Sequence, residues 1–253
     1  MQVVIMAGGR GTRLSEETIN VPKPMVRIGD LPILLHLMEY FASFGHRDFV
    51  IALGYKSHVI KEYFINYLRM QGNLEINLET GEVKSLTTPS QLWNVKLIET
   101  GDETGTGGRL VRLEKHLEDE FFYTYGDGLA DVDLNQLRDR HLSSGKLATV
   151  TSVRPPSRFG SLEITGDTVL NFKEKLPEEA GWINGGFFIM KKSVLTFIKD
   201  DSEMFEGQPI ERLVSAGELS AFKHEGFWQP MDTLRDKMLL EKMWSSGIAK
   251  WKR

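Results

Sequence analysis

The chain has 253 residues, with 31 basic and 35 acidic side chains for a formal net charge of −4, and 41% hydrophobic against 26% charged residues. These are ordinary values for a globular chain long enough to bury a sizeable core, and the slightly acidic balance argues against a general nucleic-acid binder, which would carry a basic surplus or stripe. No apolar run approaches the roughly 20 residues of a membrane span, and the absence of cysteine excludes disulfides, thiol chemistry and zinc–thiolate sites, so the cytoplasm is the expected compartment.

Met1-Gln-Val-Val-Ile-Met-Ala7 is apolar but has no basic leader, so it is expected to be a strand of the fold and not a signal peptide. It runs into Gly8-Gly-Arg-Gly-Thr-Arg13, and Val21-Pro-Lys-Pro24 follows, where the two prolines predict an extended segment that holds Lys23 at a fixed point. Leu31 to Phe44 places Ile33, Leu34, Leu37, Met38 and Phe41 at helical spacing before a capping Gly45. Asp48 to Leu53 reads as a buried strand and Ser57 to Met70 as an amphipathic helix with Val59, Ile60, Tyr63, Phe64, Tyr67 and Leu68 on one face. A polar insertion between Arg69 and Leu92 has at its centre, Leu74 to Leu86, a small hairpin around Thr80-Gly81. A strand at Trp93 to Glu99, a helix at Gly108 to Leu117 and a strand at Phe121 to Tyr125 complete an alternation that implies parallel strands with crossover helices.

After Val153 the rhythm changes. Phe159 to Thr165 and Thr168 to Glu174 flank a Gly166-Asp167 turn as antiparallel strands, then come a strand near Phe187 to Met190, helices around Ser193 to Ile198 and Pro209 to Gly217, and a last helix from about Leu234 to Ser246. The expected architecture is one α/β domain over residues 1–253, with a Rossmann-like, mixed but mostly parallel sheet flanked by helices.

A strand that delivers glycines lets backbone N–H groups approach phosphate oxygens, and Arg10, Arg13 and Lys23 supply matching charge, so the opening reads as a loop for a nucleoside triphosphate. It fits neither common competitor. The dinucleotide fingerprint G-x-G-x-x-G fails because Leu14 stands where the third glycine belongs, and Gly-Lys-Ser/Thr of a Walker A loop occurs nowhere. Asp127, between Gly126 and Gly128 at a strand end, suits a hard cation beside phosphates and equally suits a turn. Asp232 reads as the second carboxylate of such a pair or as the N-cap of the last helix. Thr106-Gly-Gly-Arg109 opens a predicted helix whose amides could receive an anion, although a plain helix start explains it nearly as well. Glu174, Lys175, Asn184 and Gly185 interrupt apolar strand territory, where glycines permit a close ligand and polar groups could read sugar hydroxyls, with a bulge as the competing account. None of the six histidines has metal-ligand spacing.

With these segments assembled, nearly the whole chain resembles the sugar-phosphate nucleotidyltransferases. The resemblance rests on Ala7-Gly-Gly-Arg-Gly-Thr-Arg-Leu-Ser-Glu-Glu-Thr18, Pro22-Lys-Pro-Met25, Thr106 to Arg109, Tyr125 to Gly128, Ile183 to Phe188, and Gly226-Phe-Trp-Gln-Pro-Met-Asp-Thr233, the last of which is similar to the cytidylyl branch. It implies the nucleotidyltransferase fold, and that Met6, Ala7, Gly8, Gly9, Arg10, Gly11, Thr12 and Arg13 hold the triphosphate, with Lys23 and Arg13 at the reacting phosphates. It further implies Thr106, Arg109 and Gly126 beside the nucleotide, Mg²⁺ on Asp127 and Asp232, and Glu174, Lys175, Asn184 and Gly185 around a sugar phosphate. The N-terminal part would then bind nucleotide, and the part from about residue 154 to 253 the sugar phosphate and metal. The implied partners are CTP and glucose 1-phosphate, in a homo-oligomer for which the resemblance suggests a hexamer, with no nucleic acid or membrane. Val21 stands where relatives often have lysine, and Leu176 where many have proline. UTP or dTTP, another sugar phosphate, and a nucleotide-binding regulatory subunit without activity remain as alternatives, the last opposed by the intact Lys23, Asp127 and Asp232.

Overall fold

The computed structural model describes residues 1–11, 14–70, 72–87, 92–155, 160–165, 167–174 and 181–253. Seven strands form the central sheet: β1 (Gln2–Met6), β2 (Asp48–Leu53), β3 (Asn94–Glu99), β4 (Glu120–Tyr125), β5 (Ala148–Val153), β6 (Ile183–Lys191) and β7 (Leu219–His224). Their order is β7-β5-β6-β4-β1-β2-β3. All neighbours pair in parallel except β6, which runs antiparallel to both β4 and β5. The expected mixed, mostly parallel sheet is therefore present. Successive side chains of β1 enter two different cores, Val3 and Ile5 on one face and Val4 and Met6 on the other. Helices cover both faces, which is why this strand reads as an unbroken apolar run.

Besides a single helical turn at Ser15–Thr18, the helices are α1 (Ile33–Ser43), α2 (Ser57–Met70), α3 (Thr106–Arg112), α4 (Leu134–Ser144), α5 (Gln208–Ser215) and α6 (Leu234–Ser245). α1 is buried on nearly all sides because the sheet covers one flank and the C-terminal segment another. Its His36 donates from Nε2 to the Ile28 carbonyl at 2.8 Å and receives the Trp251 indole N–H on Nδ1 at 3.3 Å. Burial lowers the His36 pKa, which fits this neutral, structural role.

Several boundaries move. Leu31–Pro32 is not helical but pairs with Arg27–Ile28 in a two-stranded ribbon, so α1 starts two residues later than its apolar spacing predicts. The predicted helix from Gly108 to Leu117 is α3 followed by a separate 3₁₀ turn at Glu114–His116, and Lys192–Phe197 is likewise 3₁₀. The hairpin in the insertion forms as expected, with Leu74–Ile76 pairing Val83–Ser85. In the second predicted hairpin Gly160–Thr165 pairs Thr168–Glu174, while Phe159 and Gly166 lie outside the described residues. Periodicity missed α4, β5 and β7. For α4 the signals were there in its caps: Asp133 accepts from the Asn135 and Gln136 amides, and Gly145 closes the helix in the left-handed region at φ 65°. Among the described residues no helix is long and apolar enough to cross a membrane.

A short ribbon outside the main sheet ties the end of β4 to the approach of the last helix. Gly128–Ala130, just after β4, pairs antiparallel with Trp228–Pro230, and the ladder is extended by the Met231 amide donating to the Asp127 carbonyl at 2.8 Å. Asp131 secures its near end, its Oδ1 accepting from the Phe227 amide at 2.6 Å and lying 3.1 Å from His224 Nε2.

Replacing Asp133 by alanine is expected to cost about 1 kcal/mol of stability near neutral pH, read from urea unfolding midpoints. The backbone amide of Gln136 leads the interactions that hold the Asp133 carboxyl below its ordinary 3.8 in the folded chain. Its stabilisation is therefore complete above that value and fades as pH falls through the lower folded pKa, so the gap between the two proteins should close on acidification.

Candidate active site

The four parallel strands β1 to β4 end on one rim, and a cleft of about 560 Å³ opens there, as expected for an open α/β sheet. Its walls include Met6 to Gly11 after β1, Asp102 to Thr106 and Arg109 after β3, and Tyr125 to Asp127 after β4. Lys23, Pro24, Ser202, Met204, Glu206 and Asp232 complete it. Met6, Ala7, Gly8, Gly9, Arg10, Gly11, Lys23, Thr106, Arg109, Gly126, Asp127 and Asp232, all singled out from the sequence, are thus brought together. Thr12, Arg13 and Lys175 lie outside the described residues, and Glu174 is described only in its backbone, at the end of a hairpin strand.

At the floor of the cleft Lys23 Nζ donates to Asp127 Oδ2 at 2.6 Å and to Asp232 Oδ1 at 2.7 Å. The segment around Lys23 is not extended as the prolines predicted. Pro22 is, at ψ 150°, but Lys23–Met25 makes one turn of 3₁₀ helix because Pro24 tolerates the helical φ and Val26 N–H closes on the Lys23 carbonyl. That turn buries the lysine stem. Burial by itself would lower the Lys23 pKa, but the charges of Asp127 and Asp232 and their hydrogen bonds outweigh it, leaving the pKa above its ordinary 10.5. Lys23 is a firm cation here. Asp232 can make this contact because it is not the cap of α6. Thr233 is the N-cap, in a capping box with Asp236, whose carboxylate accepts from the Thr233 amide at 2.9 Å.

Two carboxylates from segments over a hundred residues apart, each placing an oxygen on a single cationic centre, form a hard-oxygen set that suits a divalent ion completed by phosphate oxygens and water. No group of three or more potential protein ligands occurs among the described residues, so such an ion would depend on its substrate for the rest of its shell.

Arg109 lines the cleft, and its guanidinium is also engaged within the protein. It is buried, and its guanidinium donates from Nη1 to the Leu53 carbonyl at 3.0 Å, Thr100 Oγ1 at 2.8 Å and the Gly101 carbonyl at 2.6 Å, and from Nη2 to the Gly8 and Asp102 carbonyls at 3.2 Å. One side chain thus ties the ends of β1, β2 and β3. Gly8 is glycine because a Cβ there would lie 2.2 Å from Arg109 Nη1. Gly11 has φ +62° and lies against the Lys23 stem, where a Cβ would come within 3.0 Å of Lys23 Cβ. The glycine loop therefore serves packing around Arg109 and Lys23 as much as close approach by phosphate. Arg10 reaches the rim and pairs with Glu103, both exposed.

The start of α3 is not an open set of amides. Gly105 and Gly107 N–H groups donate at 2.9 Å to the Asp201 and Glu203 carbonyls, and a Cβ on Gly108 would lie 2.0 Å from the Asp201 carbonyl oxygen. The three glycines at 105, 107 and 108 let the 201–205 loop pack directly on the helix. Thr106 donates from Oγ1 to Glu206 at 2.7 Å and accepts from the Phe205 amide at 2.8 Å, holding Glu206 at the cleft. Burial pushes the phenol of Tyr125, which also lines the cleft, well above its usual pKa of 10.

Asn184 and Gly185 do not line this cleft. Asn184 Oδ1 caps the Gly186 amide at 2.8 Å at the β5–β6 bulge, and the Gly185 carbonyl accepts the Trp228 indole N–H at 2.7 Å, which docks the bulge on the strand leading to Asp232. Sequence reasoning missed Asp102, Glu103, Tyr125, Ser202, Met204 and Glu206. Tyr125 opens the Tyr125 to Gly128 motif without being singled out, the others stand in no motif, and only the packing of the 201–205 loop on α3 brings the last three to the rim.

Residues 2–239 match the model of the nucleotidyl transferase family, and the chain belongs to that family. Nucleotidyltransferases of this kind generally use a divalent metal. Among characterised relatives, the glucose-1-phosphate cytidylyltransferase of Salmonella typhimurium is 48% identical over 254 residues, spanning 100% of this chain and 99% of that protein. Among solved structures, HddC from Yersinia pseudotuberculosis superposes with a TM-score of 0.71 at 26% identity, covering 96% of this chain and 99% of its own. The inositol-1-phosphate CTP transferase from T. maritima shares the fold at a TM-score of 0.64 and 16% identity, over 96% and 95% of the two chains.

Arg109→Ala removes the hydrogen bonds of a buried guanidinium to the ends of three strands and leaves a cavity in its place, and is expected to lower stability by about 3–5 kcal/mol in urea unfolding. A loss below about 0.5 kcal/mol would show that the strand ends hold together without it.

Proposed function

We propose that this chain transfers the cytidylyl group of CTP to glucose 1-phosphate, giving CDP-glucose and pyrophosphate. The observation that carries the proposal is the trio of Lys23, Asp127 and Asp232 at the floor of a glycine-loop cleft. Full-length identity of 48% to a glucose-1-phosphate cytidylyltransferase supports the choice of substrates.

A sugar 1-phosphate has a second pKa of about 6, like a phosphorylated side chain, so its oxygen is already largely anionic near neutral pH and no general base is required. The protein has to place this oxygen in line with the α-phosphorus and relieve charge as pyrophosphate leaves. Lys23, rigid at its Cα and permanently charged, is suited to meet the phosphates at the reacting centre. Arg13 joins it on the strength of the resemblance, which gives Thr12 to holding the triphosphate. Asp127 and Asp232 would hold a divalent ion, Mg²⁺ by the hardness of the donors, which when bound neutralises charge on the phosphates. Asn184 and Gly185, with Glu174 and Lys175, are proposed for the sugar-phosphate side on the strength of the resemblance. The N-terminal part would thus carry the nucleotide, and residues from about 154 onward the sugar phosphate and one of the two metal-binding carboxylates.

Self-association is also proposed. Met70, Leu78 and Leu92, at the end of α2 and in the insertion that follows it, are each at least three-quarters exposed. A homo-oligomer such as a hexamer would cover them, and sedimentation should find an assembly larger than one chain that Leu78→Asp loosens. A wild-type monomer at micromolar concentration would remove the proposal.

Incubation with glucose 1-phosphate, Mg²⁺ and one nucleoside triphosphate at a time should release pyrophosphate fastest with CTP. A preference for UTP or dTTP would keep the chemistry and overturn the base, and no release with any nucleotide would overturn the activity. Lys23→Ala should lower kcat by about 10²–10³-fold, while an unchanged rate would remove Lys23 from the reaction.

A further inference from the structure

We infer that Lys23 has a second role before substrate arrives: its ammonium holds the point between Asp127 and Asp232 that the divalent ion later takes, so that free enzyme binds free ion weakly and acquires it together with the nucleotide. This rests on the reading of Asp127 and Asp232 as the metal pair.

The geometry is direct. One oxygen from each carboxylate lies within 2.7 Å of the same Nζ, so the oxygens that converge for an ion already converge on an ammonium. The lysine side chain is 10% exposed whereas those of Asp127 and Asp232 are 32% and 24% exposed, so the ammonium sits on the protein side and the carboxylates stand nearer the cleft. The trio carries a net charge of −1. An ion arriving alone meets two carboxylates that are already paired and a positive charge at contact distance, in a site where Coulomb terms are stronger than in water. Without the lysine the same carboxylates would present a charge of −2.

A nucleoside triphosphate changes the balance for both cations. Its phosphate oxygens give the ammonium new partners and complete the ion's shell, which two carboxylates cannot do. The exchange moves the ammonium from carboxylates to phosphate as the ion moves onto the carboxylates. Lys23 is built for this. Its base is pinned in the 3₁₀ turn and against Gly11, while its four-carbon stem leaves the charged end able to rotate. Until then the ammonium also prevents the two carboxylates from repelling each other, so the pair is already assembled when the nucleotide binds.

The test is a Mn²⁺ titration of the full chain followed by water-proton relaxation, which separates protein-bound from nucleotide-bound ion, with CTP absent or present and no sugar phosphate. Wild type should bind Mn²⁺ weakly alone and roughly tenfold or more tightly with CTP, and Lys23→Met should bind it roughly tenfold or more tightly than wild type without CTP. Equal, measurable affinity of the two proteins for free Mn²⁺ would overturn the placeholder role and leave the metal pair standing. Absence of protein-bound Mn²⁺ in wild type even with CTP would overturn the metal pair and this inference with it. If Lys23→Met unfolds, Lys23→Gln and the wild-type titration carry the test. Wild type that binds Mn²⁺ equally well with and without CTP overturns the inference, and Mn²⁺ should raise the melting temperature of Lys23→Gln more than that of wild type.

Discussion

The contact of one ammonium with two carboxylates joins three segments that are far apart in the chain and defines the floor of the cleft. Burying such charges costs solvation, and a buried ion pair is seldom a source of net stability. Its value lies in what it arranges. Lys23 comes from a 3₁₀ turn beside the glycine loop, Asp127 from the end of the central strand β4, and Asp232 from the approach to the last helix. The ladder of Gly128–Ala130 with Trp228–Pro230 and the packing of Pro24 beside Gly126 bring these elements together, and the charged contact joins their functional ends.

The remaining architecture serves to bring those ends together. The antiparallel pairing of Gly128–Ala130 with Trp228–Pro230 carries Asp232 back to Asp127 across the strand ends. The capping box of Thr233 and Asp236 puts the N-cap of α6 one residue after Asp232, which leaves that carboxylate to face the cleft. On the nucleotide side Arg109 does for carbonyl groups what Lys23 does for carboxylates. Strand ends at a cleft run out of regular ladder, and a buried guanidinium adds a donor to several of their carbonyls at once. The glycines that looked like a phosphate cradle also make room for these two cations, so catalysis and packing draw on the same residues.

Parts of this were legible in the residues alone. The apolar runs at Gln2–Met6 and Asp48–Leu53, and the helical spacing through Ile33, Leu37 and Phe41, report local periodicity, and the sheet and α1 follow from it. α4 escaped because its exposed face is long and polar, so its signal lay in Asp133 and Gly145 and not in an apolar stripe. β7 alternates weakly at the edge of the sheet. The extended reading of Pro22-Lys23-Pro24 erred because proline permits both an extended and a helical turn at its φ, and only the hydrogen bond from Val26 decides between them.

The sequence by itself determined the class of fold, the glycine loop at the first strand end, Lys23 as a cation for phosphate and Asp127 with Asp232 as a candidate carboxylate pair, because each is written in a local pattern or in a short motif. Only the tertiary structure decided that these three groups meet at one point, that Arg109 turns inward to carbonyls, that the first amides of α3 are taken by the 201–205 loop, and that Glu206 and Tyr125 reach the cleft. The physical reason is that such contacts depend on where distant segments are carried by the sheet order and the strand pairing, and spacing along the chain does not encode a distance across it.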